Sequence, residues 1–122
     1  MRNPLYRLIL AAVAFAAPIQ AAEVPPEAPF TPAQAAFFKA ETRKADDRFV
    51  REVARITGSS EASIRKVMPA EGRIANPAVR IVTTLEHQRG AEFPEAIRAQ
   101  VDAAEAERRK AVASAREAAR LR

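Results

Sequence analysis

The sequence predicts an all-α protein in which a compact three-helix corner is followed by a long, Ala-rich C-terminal helix. Apolar residues recur at steps of three and four in four segments, and capping residues, glycines or prolines bound these segments. No segment shows the strict alternation of apolar and polar residues, or the turn signals, that are typical of β-hairpins. The chain has 122 residues, no Cys and one His. That length suits one compact domain, and the composition excludes a disulfide framework, a thiolate metal site and a multi-histidine metal centre.

Residues 1–21 have the three-part plan of a secretory signal peptide. Arg2 and Arg7 make the start basic, residues 8–17 form an unbroken apolar run, and Pro18 ends it before small residues that permit cleavage after Ala21. A run of this length is too short to cross a bilayer comfortably, since a spanning helix needs about 20 residues. The sequence therefore predicts a periplasmic or secreted protein with no transmembrane segment after signal cleavage. An uncleaved anchor and a buried N-terminal helix are the alternatives.

Residues 22–32 are rich in proline and predict an extended spacer before a single α-helical domain at residues 33–122. The first helix of that domain begins at Thr31, which can serve as the N-cap of a capping box closed by Gln34. It ends at Gly58, which is suited to a left-handed C-cap. Its apolar stripe consists of Phe38, Thr42, Ala45, Phe49, Val53 and Ile56.

The second predicted helix is short. It begins at Ser59 or Ser60, either of which can cap a helix, and it continues to Met68, just before a proline. Ile64 and Val67 are one turn apart on this helix, so both can face the core.

A loop at residues 70–76 leads to the third predicted helix. Asn76 followed by Pro77 is a favourable helix start, and Gly90 marks the end. The densest apolar cluster of the chain lies in this helix and consists of Val79, Ile81, Val82 and Leu85.

The fourth predicted helix covers residues 94–122 and is rich in Ala, Arg and Glu. Glu105 is spaced to pair with Arg108 and Arg109 on the helix surface, where each pair is worth a few tenths of a kcal/mol. The helix has high intrinsic propensity but a thin apolar face, so we expect it to dock along the corner or to project toward a partner. Its apolar line consists of Ile97, Val101, Ala104, Ala111, Val112, Ala115 and Ala118.

Residues 53–68 have the spacing of a helix-turn-helix: a small Ala54 at the helix crossing, Gly58 at the turn, and Ile64 and Val67 packing back. This segment, extended over residues 50–88, resembles the DNA-binding domain of lactose-repressor-type regulators.

The resemblance implies a set of DNA contacts, in which Glu61 and Lys66 fall on base-reading positions and the others could touch phosphates. A nearby Ala62 has no polar reach, and Glu61 can only accept hydrogen bonds from a base. A DNA-binding regulator is therefore the alternative interpretation, and it requires that the N-terminal signal is not real. The implied contacts are Ser60, Glu61, Arg65, Lys66 and Arg73.

A fainter likeness concerns residues 30–34. Their sequence, Phe-Thr-Pro-Ala-Gln, is similar to the Leu-Thr-x-x-Gln repeats of small periplasmic stress proteins, with Phe30 in place of Leu. A capping box produces the same pattern for purely local reasons.

We expect no enzymatic activity, no metal and no cofactor. His87 lies in the last turn of a helix, where the helix dipole favours it without any catalytic role. Asp46 and Asp47 are adjacent, so their side chains point about 100° apart and indicate a solvated face more than a catalytic carboxylate pair. The predicted function is that of a protein-binding or accessory module that binds another protein, or a second copy, through the C-terminal helix. Nucleic acid is a partner only in the alternative interpretation.

Overall fold

A computed structural model describes residues 27–68 and 76–122, which consist of helices, the turns that connect them and a short non-helical segment at residues 27–31. The helices are α1 (Pro32–Thr57), α2 (Glu61–Val67), α3 (Pro77–Arg89) and α4 (Glu95–Arg120), with no strand among the described residues. The predicted all-α class is therefore confirmed. The predicted signal peptide, most of the predicted loop before α3, and Arg73 lie outside the described residues.

The ends of α1 are set by local chemistry that the sequence already contains. The Thr31 hydroxyl accepts the backbone N–H of Gln34 at 3.2 Å, and the Gln34 side-chain oxygen accepts the Thr31 N–H at 3.0 Å. At the other end Gly58 takes a left-handed conformation with φ of 71°, which a side chain would strain. The predicted capping box and C-cap are both confirmed.

The short helices begin and end where the sequence predicts. Ser60 accepts the N–H of Ser63 at 3.1 Å and caps α2, and Asn76 accepts the N–H of Val79 at 3.3 Å and caps α3. Gly90 ends α3 in the left-handed region.

The two long helices, α1 and α4, form an antiparallel pair, which we call the hairpin although α2 and α3 separate its helices in the chain. Both α2 and α3 pack against one end of it. The start of α1 meets the end of α4, where the Gln34 side-chain amide donates to the Arg122 carbonyl at 3.3 Å. We call the end where α2 and α3 pack the packed end. Its core joins all four helices and is made mainly of branched aliphatic side chains. It consists of Phe49, Val50, Val53, Ile64, Val67, Ala78, Ile81, Val82, Leu85, Phe93 and Val101.

The opposite end of the hairpin contains phenylalanine rings beneath arginines, and we call it the arginine end. The guanidinium carbons of the arginines lie 3.9 to 5.5 Å from the ring centroids, within cation–π range. Arg120 also pairs with Glu27 at 2.7 Å and donates to the Ala28 carbonyl, so the last residues of the predicted spacer lie against α4. The three pairs are Arg116 on Phe38, Arg120 on Phe30 and Arg122 on Phe37.

The structure sharpens two sequence-based expectations. The C-terminal helix docks and does not project, because Val101, Ala115 and Ala119 are buried along its length. The apolar cluster of α3 is only partly buried, since Val79 is 55% exposed while Ile81 is fully covered. Among the described helices, none combines the length and the apolar character needed to cross a membrane.

Candidate binding groove

An open groove of about 900 Å³ runs between α1 and α4. Every residue that lines it belongs to one of these two helices, so α2 and α3 leave this face of the hairpin uncovered. The floor is apolar and made mainly of small residues, which lets another chain approach the two helices closely. It consists of Ala45, Phe49, Ile56, Ala104 and Ala111.

The α1 rim of the groove is basic. Arg48, Arg51 and Arg55 follow one another at steps of three and four, so they form one row along the helix, and all three are exposed. Arg55 donates to the carboxylate of Glu52, which lowers the pKa of Glu52. Arg48 and Arg51 make no salt bridge with any other described residue.

The side chains of the α4 rim are shorter than the arginines of the α1 rim, and they carry less positive charge. Gln100 and Ala103 are exposed and uncharged, and Glu107 is the one acidic residue of this rim. The groove as a whole therefore carries more positive than negative charge, and the positive charge is concentrated along α1.

A charged cluster at the edge of the floor ties α1 to α4. Glu105, only 6% exposed at its side chain, accepts from Arg108 at 2.7 and 2.9 Å and from Arg109 at 3.0 Å. Arg108 also reaches across to Asp46 on α1 at 3.4 Å and lies over the Phe49 ring. The pairing of Glu105 predicted as a surface contact thus lies in a largely buried network between the long helices.

Burial is the main influence on the pKa of Asp46. Loss of solvent raises the pKa of Asp46, and the neighbouring Arg108 guanidinium opposes that shift. The carboxylates of Glu105 and Asp46 in turn hold the pKa of Arg108 above its ordinary value, so Arg108 stays charged. The sequence placed Asp46 and Asp47 on a solvated face; both are only half exposed because each bonds to an arginine of another helix.

The residues predicted to contact DNA in the alternative interpretation lie together on and beside α2, except Arg73, which is outside the described residues. Ser60 uses its hydroxyl as the α2 N-cap, and Arg65 donates to the Asp47 carboxylate at 2.8 Å. Glu61 and Lys66 are exposed. Ser60 and Arg65 therefore use, in contacts within the fold, the same side-chain groups that would have to contact DNA.

The corner beneath these residues is tightly packed. Val53 and Ile64 are fully buried, Val67 is nearly so, and Ala54 packs against the same core. Such packing is required both by a structural corner and by a helix-turn-helix, so it favours neither interpretation.

Sequence reasoning did not single out the basic rim. The signal was available, because Arg48, Arg51 and Arg55 recur at helical spacing beside the apolar stripe. The sequence does not show that α4 docks beside this row. Only that docking makes the exposed arginines of α1 one side of a groove.

Comparison with models of protein families, with curated proteins and with solved structures found no match for this chain. Within residues 27–68 and 76–122, no group of three or more His, Asp or Glu side chains is placed to hold a metal ion. The site that the fold defines is thus a two-helix groove with an apolar floor and a basic rim, and its function is argued from that geometry.

Proposed function

We propose that the protein is an exported, non-enzymatic binding module that holds a segment of another protein in the groove between α1 and α4. The observation that supports this most is the groove itself. Its apolar floor is open to solvent, although the two helices that form it pack against each other and against the core. An apolar surface of this kind that is rimmed by polar residues is typical of interaction sites.

A helix is the element that fits such a groove best. Two neighbouring helices leave a valley between them, and a third helix laid in it completes a three-helix bundle at interaxial distances of about 8–10 Å. The alanines at positions 45, 104 and 111 favour this close approach, because they place little side-chain bulk in the valley. Through Ala104 and Ala111 the C-terminal helix contributes to binding while it remains part of the fold.

Site-specific photo-crosslinking in cells tests this function. A photoreactive amino acid at Ala103, on the α4 rim, is expected to give a discrete adduct with a partner protein, whereas the same amino acid at Ala113 is not. Ala113 is a suitable control because it is exposed on α4 but does not line the groove. Equal adducts from both positions, or none from Ala103, would contradict the proposal.

The export part of the proposal depends on the N-terminal sequence pattern and has its own test. Cell fractionation with N-terminal sequencing is expected to find the product in the periplasm or medium with a first residue near Ala22. Full-length protein in the cytosol would remove export and leave the groove proposal standing.

The second candidate function is DNA binding through α2, supported by the exposure of Glu61 and Lys66 on that helix. It predicts salt-dependent binding to duplex DNA that weakens when Arg65 and Lys66 are replaced by Ala. Because Arg65 also pairs with Asp47, the single variant Lys66→Ala is the cleaner probe. Failure to retard DNA at low salt would dispose of this candidate.

A further inference from the structure

We infer that the occupant of the groove is an acidic amphipathic helix from a different protein; this inference rests on the proposed function. The observation that carries it is the charge on the α1 rim. Arg48 and Arg51 make no salt bridge with another described residue, and both stand beside the apolar floor of the groove. Carboxylates placed opposite them would gain charge-assisted hydrogen bonds.

The spacing of the rim arginines specifies the pattern of the partner. Arg48, Arg51 and Arg55 are separated by three and four residues. Because both helices rise about 1.5 Å per residue, a second α-helix parallel to α1 presents acidic side chains in register at i, i+3 and i+7, and an antiparallel one at i, i+4 and i+7. The lining residues of α1 extend from Ala45 to Ile56, about 17 Å at that rise. A partner segment of about three to four helical turns is therefore sufficient.

The apolar side of the partner is set by the floor. Phe49 is buried and Ile56 half-buried, while the α4 wall offers Ala104 and Ala111. Side chains such as Leu can fill the space that these alanines leave, which a partner with only small residues could not do.

A second copy of the chain is the main competitor, and charge argues against it. Two grooves placed face to face with their α1 rims opposed would bring two copies of the same arginine row together. With the rims reversed, each arginine row would face an α4 rim that offers Glu107 as its one acidic residue. Like charges in a partly desolvated interface disfavour association. An acidic partner removes this repulsion.

The test uses the full chain and three synthetic peptides of about 18 residues. The first is an amphipathic helix with a Leu stripe and Glu at i, i+3 and i+7 beside it; the second replaces those Glu by Lys; the third replaces them by Gln. Fluorescence anisotropy is expected to show at least about tenfold tighter binding of the Glu peptide than of the Lys peptide, with the Gln peptide between them. Binding of the Glu peptide should weaken several-fold when NaCl rises from about 50 to about 500 mM.

Matched variants assign the binding to the groove and its rim. Ala103→Trp, which fills the groove, should abolish peptide binding, while Ala113→Trp should not. R48E/R51E should weaken binding of the Glu peptide by about tenfold or more and strengthen binding of the Lys peptide. K66E/R80E changes the net charge by the same amount at exposed positions of α2 and α3, and it should leave the preference for the Glu peptide intact.

The outcomes separate the inference from the function beneath it. If all three peptides bind equally and Ala103→Trp abolishes binding, the acidic partner is wrong and the groove function stands. If the chain instead self-associates in analytical ultracentrifugation and Ala103→Trp makes it monomeric, the occupant is a second copy and the inference is overturned. If peptide binding survives Ala103→Trp but is lost in K66E/R80E, both the inference and the groove function fail.

Discussion

The two ends of the α1–α4 hairpin are held together by different interactions. At the packed end, branched apolar side chains from all four helices, among them Val53, Ile81 and Val101, are fully buried. At the arginine end there are only two helices and a short extended segment among the described residues, and arginines over half-buried rings accompany two small buried residues, Ala115 and Ala119. Burial of apolar area is worth far more than exposed charge contacts, so the packed end should carry most of the free energy of unfolding.

The groove runs alongside the packed end and continues toward the middle of the hairpin. Its floor shares Phe49 with the core of the packed end, and its lining extends along α4 to Ala111. The α1 rim should therefore open less easily than the arginine end, because local stability follows the local density of buried apolar contacts.

The largest effect is expected at the packed end. Ile81→Ala should lower the free energy of unfolding by about 2–5 kcal/mol, since it removes a fully buried side chain and leaves a cavity. Val79→Ala on the same helix should change it by less than about 0.5 kcal/mol, because Val79 is largely exposed. Urea denaturation followed by circular dichroism measures both. Similar costs for the two variants would show that α3 does not pack as described.

The buried charged cluster between the ends is expected to rank second. Arg108→Ala leaves Glu105 without its main partner and should cost about 2–3 kcal/mol, below the usual range for a fully buried pair because Arg108 is 18% exposed. Arg109→Ala is the matched control: it also bonds to Glu105 but is 57% exposed, so its loss should cost less than about 1 kcal/mol. If E105L/R108L is as unstable as Arg108→Ala, the cost does not come from the unpaired charge of Glu105.

The helix ends could be predicted from the sequence because capping is local. Thr31, Gln34 and Gly58 determine the ends of α1 through groups at most four residues apart, and the sequence shows all of them. The same holds for Ser60 and Asn76, whose side chains accept backbone N–H groups three residues later.

The groove could not be predicted because it depends on which faces of two distant helices meet. Asp46 and Arg108 are 62 residues apart, and neither residue type identifies the other as its partner. The predicted apolar line of α4 indicates that it buries one face, but not that α1 lies against it or that α2 and α3 leave the other side open. Glu105 illustrates the limit: its spacing predicts surface pairs, and docking against α1 buries Glu105 and most of Arg108.

A smaller effect, visible as a pH dependence, is expected at the turn between α3 and α4. The Arg98 guanidinium and the Phe93 N–H both donate to Glu86 and lower the pKa of Glu86 below its ordinary value. The stability that Glu86 contributes is present above the ordinary carboxyl pKa and is lost as pH falls through its folded-state value.

Glu86→Gln should therefore be less stable than the natural chain at pH of about 7, and the difference should shrink at a pH of about 3. Urea titrations at the two pH values measure this. Asp46, with its raised pKa, has the opposite dependence, but it is present in both proteins and cancels in the comparison. A difference that stays constant with pH would mean that Glu86 acts through packing and not through its charge.

The smallest effect is expected at the arginine end. Arg120→Gln removes the pair with Glu27 and the contact with the Phe30 ring, both partly exposed, and should cost about 0.5–1 kcal/mol. Because salt screens exposed charges, the cost should fall further in about 1 M NaCl, whereas the cost of Ile81→Ala should not. Amide exchange should quicken in the last turns of α4 and leave the packed end unchanged. A cost as large as that of Ile81→Ala, with faster exchange throughout the chain, would mean that the two ends unfold as one unit and that the arginines belong to the core.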